Sequence, residues 1–217
     1  MKQIYLLIIV TSFFVFQANS QELMAETGFS FTSFEFENSQ GESLDNLQAT
    51  TNNYISLGYR HDVLKDILHI IGGLGINSYG ATGSDNSVNN YFSWETTYLG
   101  IYLGLDVKVY KTNKLSFYLR GTTSSEFMLQ GTQTLNNQVF DLKGIEEFDT
   151  VNFFFRGGIL IQYDVSETFS IFTKYTYGKS TGTGLDEELK YKAHDVGFGL
   201  AIDLSKKETE NNNKNPK

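Results

Sequence analysis

Thr97–Tyr110 reads TYLGIYLGLDVKVY and alternates without a break. Leu99, Ile101, Leu103, Leu105, Val107 and Val109 fall on one face. Tyr98, Gly100, Tyr102, Gly104, Asp106, Lys108 and Tyr110 fall on the other. A period of two belongs to a β-strand, whose successive side chains point to opposite sides of the pleat. The aliphatic face looks either into the dry core of a soluble protein or out at lipid, and the rest of the chain decides which.

Working outward, seven further segments read as candidate strands. Candidate strands fall at 25–36, 53–61, 67–79, 91–110, 115–129, 151–164, 169–179 and 191–204. Short links at 62–66, 111–114 and 165–168 alternate with polar stretches at 37–52, 80–90, 130–150 and 180–190. Antiparallel neighbours joined in that order place every short turn at one end and every long loop at the other. Spanning barrels of bacterial outer membranes sort their connections in this way.

The faces agree across strands. Near the C-terminus Val196, Phe198, Leu200, Ile202 and Leu204 oppose Asp195, Gly197, Gly199, Ala201 and Asp203. Leu115, Phe117 and Leu119 oppose Ser116, Tyr118, Arg120 and Thr122; Phe153, Phe155, Ile159 and Ile161 oppose Asn152, Arg156, Gly158 and Gln162. The bore of an eight-stranded barrel has room only for side chains, and bulky aliphatics from every strand would overfill it. Small and polar residues therefore point inward. An aliphatic belt on every outer face is intolerable in water and required in a bilayer, which only helices and closed barrels can span. The fold class expected is all-β: an eight-stranded antiparallel up-and-down transmembrane β-barrel. Leu99, Ile101, Leu103, Leu105, Val107, Phe198, Leu200 and Ile202 are the expected lipid-facing set.

Aromatic residues at strand ends fit interfacial girdles, where one end of the ring is wet and the other apolar. Tyr91, Phe92, Trp94, Tyr110, Tyr163, Phe169, Tyr177 and Tyr191 are so placed. In the first strand Phe29 and Phe31 share one phase and Phe34 and Phe36 the other. A bulge, or the strand leaving the bilayer, would produce that slip.

Composition and the N-terminus point the same way. Met1-Lys2, the apolar run Ile4–Phe16 and the small residues Ala18-Asn19-Ser20 have the form of a secretory signal peptide. The expected organisation is a signal peptide at 1–20, a barrel at 21–204 and a disordered polar tail at 205–217. The chain has no cysteine, hence no disulfide and no lipid-modified cysteine, and its one proline, Pro216, lies in the tail. A net charge of −8 argues against nucleic-acid binding.

With this pattern the chain resembles the small eight-stranded outer-membrane β-barrel proteins of Gram-negative bacteria, the OmpA/OmpX-like or porin-family barrel domain. The likeness is architectural and covers 21–204. One local match is the last strand, Gly199 to Leu204, which looks like the glycine-then-alternating signal read by the barrel assembly machinery. It lacks that signal's terminal aromatic and is followed by a tail. The resemblance implies residence in the cell outer membrane, contact with outer-membrane lipid, passage through that machinery and a monomeric barrel without cofactor.

Candidate chemistry is sparse. Asp106, Lys108, Arg120, Glu126, Arg156, Lys174, Asp195 and Asp203 share the inward face, and buried charges must pair or be solvated. An ion-pair network filling the lumen is expected, with a narrow path for ions or very small solutes as the alternative. His194, Asp195 and Ser180 suggest a lipid-modifying hydrolase, but adjacent strand residues point to opposite faces, so no catalytic residues are assigned. His61 and His69 lie at the opposite, turn end. Asp85-Asn86-Ser87 and Asp186-Glu187-Glu188 offer oxygen ligands without the spacing of a calcium loop, so no metal is assigned. Gly182-Thr183-Gly184 lacks the lysine and helix of a phosphate loop. A soluble periplasmic barrel around an apolar ligand is the remaining alternative. The expected role is structural or in surface interaction, with a surface ligand met by the external loops.

Overall fold

The computed structural model describes residues 21–37, 47–64, 66–85, 90–182 and 188–204. The expected signal segment, the tail, most of the first and fourth long loops and the side chains of Asp85–Ser87 and Asp186–Glu188 lie outside the described residues. So do Thr183 and Gly184 of the glycine loop.

The strands are β1 (Gln21–Glu37), β2 (Gln48–Leu64), β3 (Leu68–Asp85), β4 (Asn90–Lys111), β5 (Leu115–Leu135), β6 (Gln138–Asp141), β7 (Asn152–Asp164), β8 (Phe169–Ser180) and β9 (Glu188–Asp203). One short helix, α1 (Glu146–Asp149), precedes β7. Every pairing is antiparallel. The ring runs β4-β3-β2-β1-β9-β8-β7-β5 and closes through β4–β5, so eight strands form a barrel and β6 adds a short flap to β5. Closure leaves the ring without an unpaired edge, which a bilayer demands because lipid offers no hydrogen bonds.

The wall is two-sided. Alternate residues of β4 from Leu99 to Val107 are exposed, Leu103 most of all at 63 %, while Asp106 between them is fully buried. Phe198, Leu200 and Ile202 of β9, Leu119 of β5 and Phe155 and Ile159 of β7 continue the belt around the outside. At a rise of about 3.3 Å and a tilt of about 40°, the strand from Leu99 to Val109 climbs about 25 Å, the height of the apolar band of a spanning barrel. Among the described residues no helix is long and apolar enough to cross a membrane; the strands do it.

Several expectations need correction. The polar stretch 80–90 is mostly strand: β3 and β4 stay in register as far as Asp85 and Asn90, with Ala81 fully buried opposite Trp94. The stretch 130–150 is not one loop. β5 continues to Leu135, turns at Asn136-Asn137, both at positive φ, into β6, and then runs to α1. Asparagine tolerates the left-handed region, so this pair makes a two-residue hairpin turn.

β1 has no bulge. Its register with β9 is continuous from Glu22 to Glu37, so Phe34 and Phe36 simply face the lumen where its lining becomes aromatic. Trp94 and Tyr191 are not girdle residues, since both are buried inside, and Phe92 packs beside them. A register shift between Lys108 and Tyr110 turns Tyr110 outward against Phe117, with ring centroids 5.8 Å apart. Tyr163 and Tyr177 do lie on the exterior. Inward glycines such as Gly28 and Gly197, paired in register, leave the space that Tyr54 crosses. Gly121 and Gly157, also paired, face outward instead and notch the lipid-side wall.

Candidate functional site

The interior changes character in layers from the turn end to the loop end. First comes an open vestibule of about 390 Å³ lined by Glu22, Asp62, Lys108, Gln162, Asp164 and Asp203, among others. Lys108 and Lys111 both bind Asp66 in the β2–β3 turn, the latter at 3.2 Å. Burial by itself would raise the Asp66 carboxyl, but the two ammonium groups outweigh it and hold the acid below the ordinary aspartate range.

Behind the vestibule lies an arginine layer. Arg120 grips Asp106 with two bonds, Nε to Oδ1 at 2.7 Å and Nη2 to Oδ2 at 2.6 Å. This fork-to-carboxylate geometry is the strongest form a protein ion pair takes. Arg60 donates to Glu22 and Gln162, approaches Asp106 at 3.4 Å and lies over the Tyr118 ring at 4.6 Å. It crosses the bore from β2 to β7 and is almost wholly buried.

Glu26 forms the next rung. It pairs with Lys174 at 2.6 Å, accepts from Tyr54 and lies 3.9 Å from Arg120. Around it is a cavity of about 50 Å³, enough for a few waters and nothing larger.

Arg156 organises the layer above. Its guanidinium donates to Asp195 at 3.2 Å, Ser124 at 2.9 Å, the Tyr79 hydroxyl at 2.5 Å and Glu126 at 3.0 Å, and it stacks on Phe154 at 3.9 Å. Glu126, fully buried, also accepts from Tyr79 at 2.6 Å and Asn77 at 3.1 Å. Arg156, Tyr79, Asn77 and Ser124 thus donate to Glu126, and Arg156, Ser30 and Thr176 to Asp195. Charge buried at this depth is tolerable only when it is so fully satisfied.

Aromatic side chains fill the loop-end mouth. Tyr79 stacks on Phe154 with centroids 5.4 Å apart, Phe34 meets Tyr191 edge-on at 4.7 Å, and Trp94 packs beside Phe34 at 6.4 Å. The segment between β5 and β7 folds over them: Leu142 is buried in the cluster, Phe148 of α1 packs against it, and the Tyr98 hydroxyl donates to the Phe148 carbonyl at 2.8 Å.

The expected lumen residues fall into these layers unevenly. Asp106 and Arg120 come together, as do Glu126, Arg156 and Asp195, while Lys174 joins Glu26. Lys108 leaves the group for Asp66, and Asp203 lines the vestibule wall. Sequence reading missed Arg60, Glu22 and Glu26, although the alternation Tyr54, Ser56, Gly58, Arg60 held the signal for the first. The hydrolase residues separate: Ser180 faces the lumen and accepts from the Tyr191 amide at 2.8 Å, whereas His194 faces outward, bonded to the Tyr175 hydroxyl at 2.8 Å. Asp62, Asp66 and His69 gather at the turn end, where the lysines on Asp66 already occupy the place a cation would take.

No protein-family model matches the chain, and no curated protein matches it. Among solved structures it is similar to the outer membrane protease OmpT from Escherichia coli, at 8 % identity over 87 % of this chain and 98 % of that one, with a TM-score of 0.48. It is similar to the attachment invasion locus protein Ail of Yersinia pestis, at 13 % identity over 83 % and 99 %, with a TM-score of 0.34. It is also similar to the outer membrane protein OprG from Pseudomonas aeruginosa, at 12 % identity over 84 % and 96 %, with a TM-score of 0.39. What makes this chain a barrel is its own closed ring and two-sided wall.

Proposed function

We propose that this chain is a non-enzymatic, monomeric protein of the cell outer membrane, its long loops external, its three short turns periplasmic and its lumen plugged. Its role is structural or in surface interaction, through the loops and the β5–β6 flap. The observation that carries this reading is the filled bore: an arginine layer, a second ion-pair layer and an aromatic cap lie in series, and the central cavity holds about 50 Å³. Passage of even a hydrated ion would need several buried salt bridges to open at once, each leaving an unpaired buried charge.

Export supports the outer-membrane placement. The N-terminal signal pattern addresses the chain to the envelope, and a closed strand barrel with an apolar belt needs a bilayer there. The flap presents Val139 and Phe140 to solvent beyond the belt, an apolar pair suited to a partner surface. The test is single-channel recording of the purified barrel in planar bilayers. The expected record shows no steady conductance steps; reproducible steps that vanish when the bore is blocked would replace the plug with a narrow pore.

A further inference from the structure

On β8 the outward residues climb from the turn end as Phe169, Ile171, Thr173, Tyr175, Tyr177 and then Lys179; on β9 they climb as Ile202, Leu200, Phe198, Val196, His194 and then Lys192. Both strands reach lysine at the same rung, because Lys179 and Lys192 are register partners. Like charges directly opposed across strands repel. The two share one carboxylate, Glu35 of β1, with Lys179 Nζ 2.7 Å from Oε2 and Lys192 on Oε1. Two ammonium groups on one carboxylate leave net positive charge, partly exposed, on a chain whose overall charge is −8.

The floor beneath is aromatic. Tyr177 and His194 are register partners with rings 4.9 Å apart. At the upper edge of the belt on β3 and β4 stand hydroxyls instead, Ser78 and Thr97, bonded to each other at 3.1 Å. The lysine pair has no counterpart at that edge of β3 and β4. It lies on the barrel's flank at the edge of the belt and not at a loop tip, so the layer it meets is that of the lipid headgroups.

We infer that Lys179 and Lys192 form a binding site for the anionic phosphate of a lipid headgroup in the loop-side leaflet, with Glu35 as their counterion when no lipid is bound. The inference rests on the membrane orientation proposed above. An incoming phosphate takes the ammonium groups that Glu35 holds, its acyl chains lie along Phe198 and Val196, and the Tyr177–His194 pair supports the headgroup from below.

The test uses the full chain folded into phosphatidylcholine vesicles carrying bisphosphorylated lipid A or the same lipid with its phosphates removed, with the lipid retained by the extracted protein counted by native mass spectrometry. Each surface lysine near an anionic headgroup contributes about a factor of five. The Lys179→Gln/Lys192→Gln variant is therefore expected to retain roughly 25-fold less of the phosphorylated lipid. Glu35→Gln, which frees both lysines, is expected to retain more than the parent, and this arm stands even if the double variant fails to fold. Equal retention by the double variant, or no preference for the phosphorylated form, would overturn the site. Full displacement by millimolar inorganic phosphate would overturn its assignment to lipid. A parent chain whose gel mobility does not change on heating would instead reject the barrel itself, separately from the lipid result.

Discussion

Asp66 shows how a single turn residue ties the barrel's end together. It sits at a φ of 65° and carries two lysine contacts from β4. Asparagine accepts the same backbone region, so Asp66→Asn removes the charge and keeps the turn. Because the folded-state pKa is depressed, the contribution is present above the unfolded value of about 3.9 and is lost as pH falls through the folded one. Urea midpoints in vesicles should therefore separate parent from variant at neutral pH, begin to approach each other below about pH 4, and meet only below the depressed folded-state value. Arg120 poses the harsher case. Arg120→Met strands the Asp106 carboxylate with only the longer Arg60 contact at 3.4 Å, and removing one partner of a buried pair costs about 3 kcal/mol. A double change, with Asp106→Leu added, should recover most of that loss in the same assay, as apolar replacement of a buried pair often does.

β4 is the element on which the two-sided wall is easiest to read and to test. Replacing Leu103 with Arg puts a charge near the middle of the apolar band and should destabilise the barrel by about 2–4 kcal/mol in equilibrium unfolding from vesicles. The lipid-facing phase of β4 was legible because the stretch from Tyr98 to Lys108 alternates with nothing to interrupt it. Its ends were not. Val109 and Tyr110 both turn outward because of a register shift that only pairing with β5 imposes, and no residue of KVYK announces it. Likewise β3 runs into what read as a polar loop, since Gly80, Thr82 and Ser84 look like turn residues until β4 supplies their hydrogen bonds. Period-two reasoning identifies a face; it does not say where pairing stops.

At the scale of the whole molecule, the eight-stranded ring and the sorting of its connections could be read from the chain, and the stratified bore could not. Charged residues could be assigned to the inside, but which carboxylate meets which cation depends on stagger between strands far apart in the chain, as those of Glu26 and Lys174 are. The aromatic cap was hidden for a different reason. Trp94 and Tyr191 are large and apolar enough to pass for girdle residues, and only the fold of Leu142–Asp149 over the mouth gives them an interior to fill. The same geometry explains why Phe34 and Phe36 break the phase of β1: they face the lumen at the level where it becomes apolar.

Because the chain has no cysteine, one can be introduced alone and labelled. A nitroxide at Leu103→Cys, in the folded protein in vesicles, reports directly on what that face of the wall touches. Strong relaxation by oxygen with weak relaxation by a water-soluble nickel chelate is the expected result, since oxygen partitions into hydrocarbon and the chelate does not. The reverse accessibility at position 103 would mean that the aliphatic face meets water or protein, and the membrane-spanning wall would have to be abandoned.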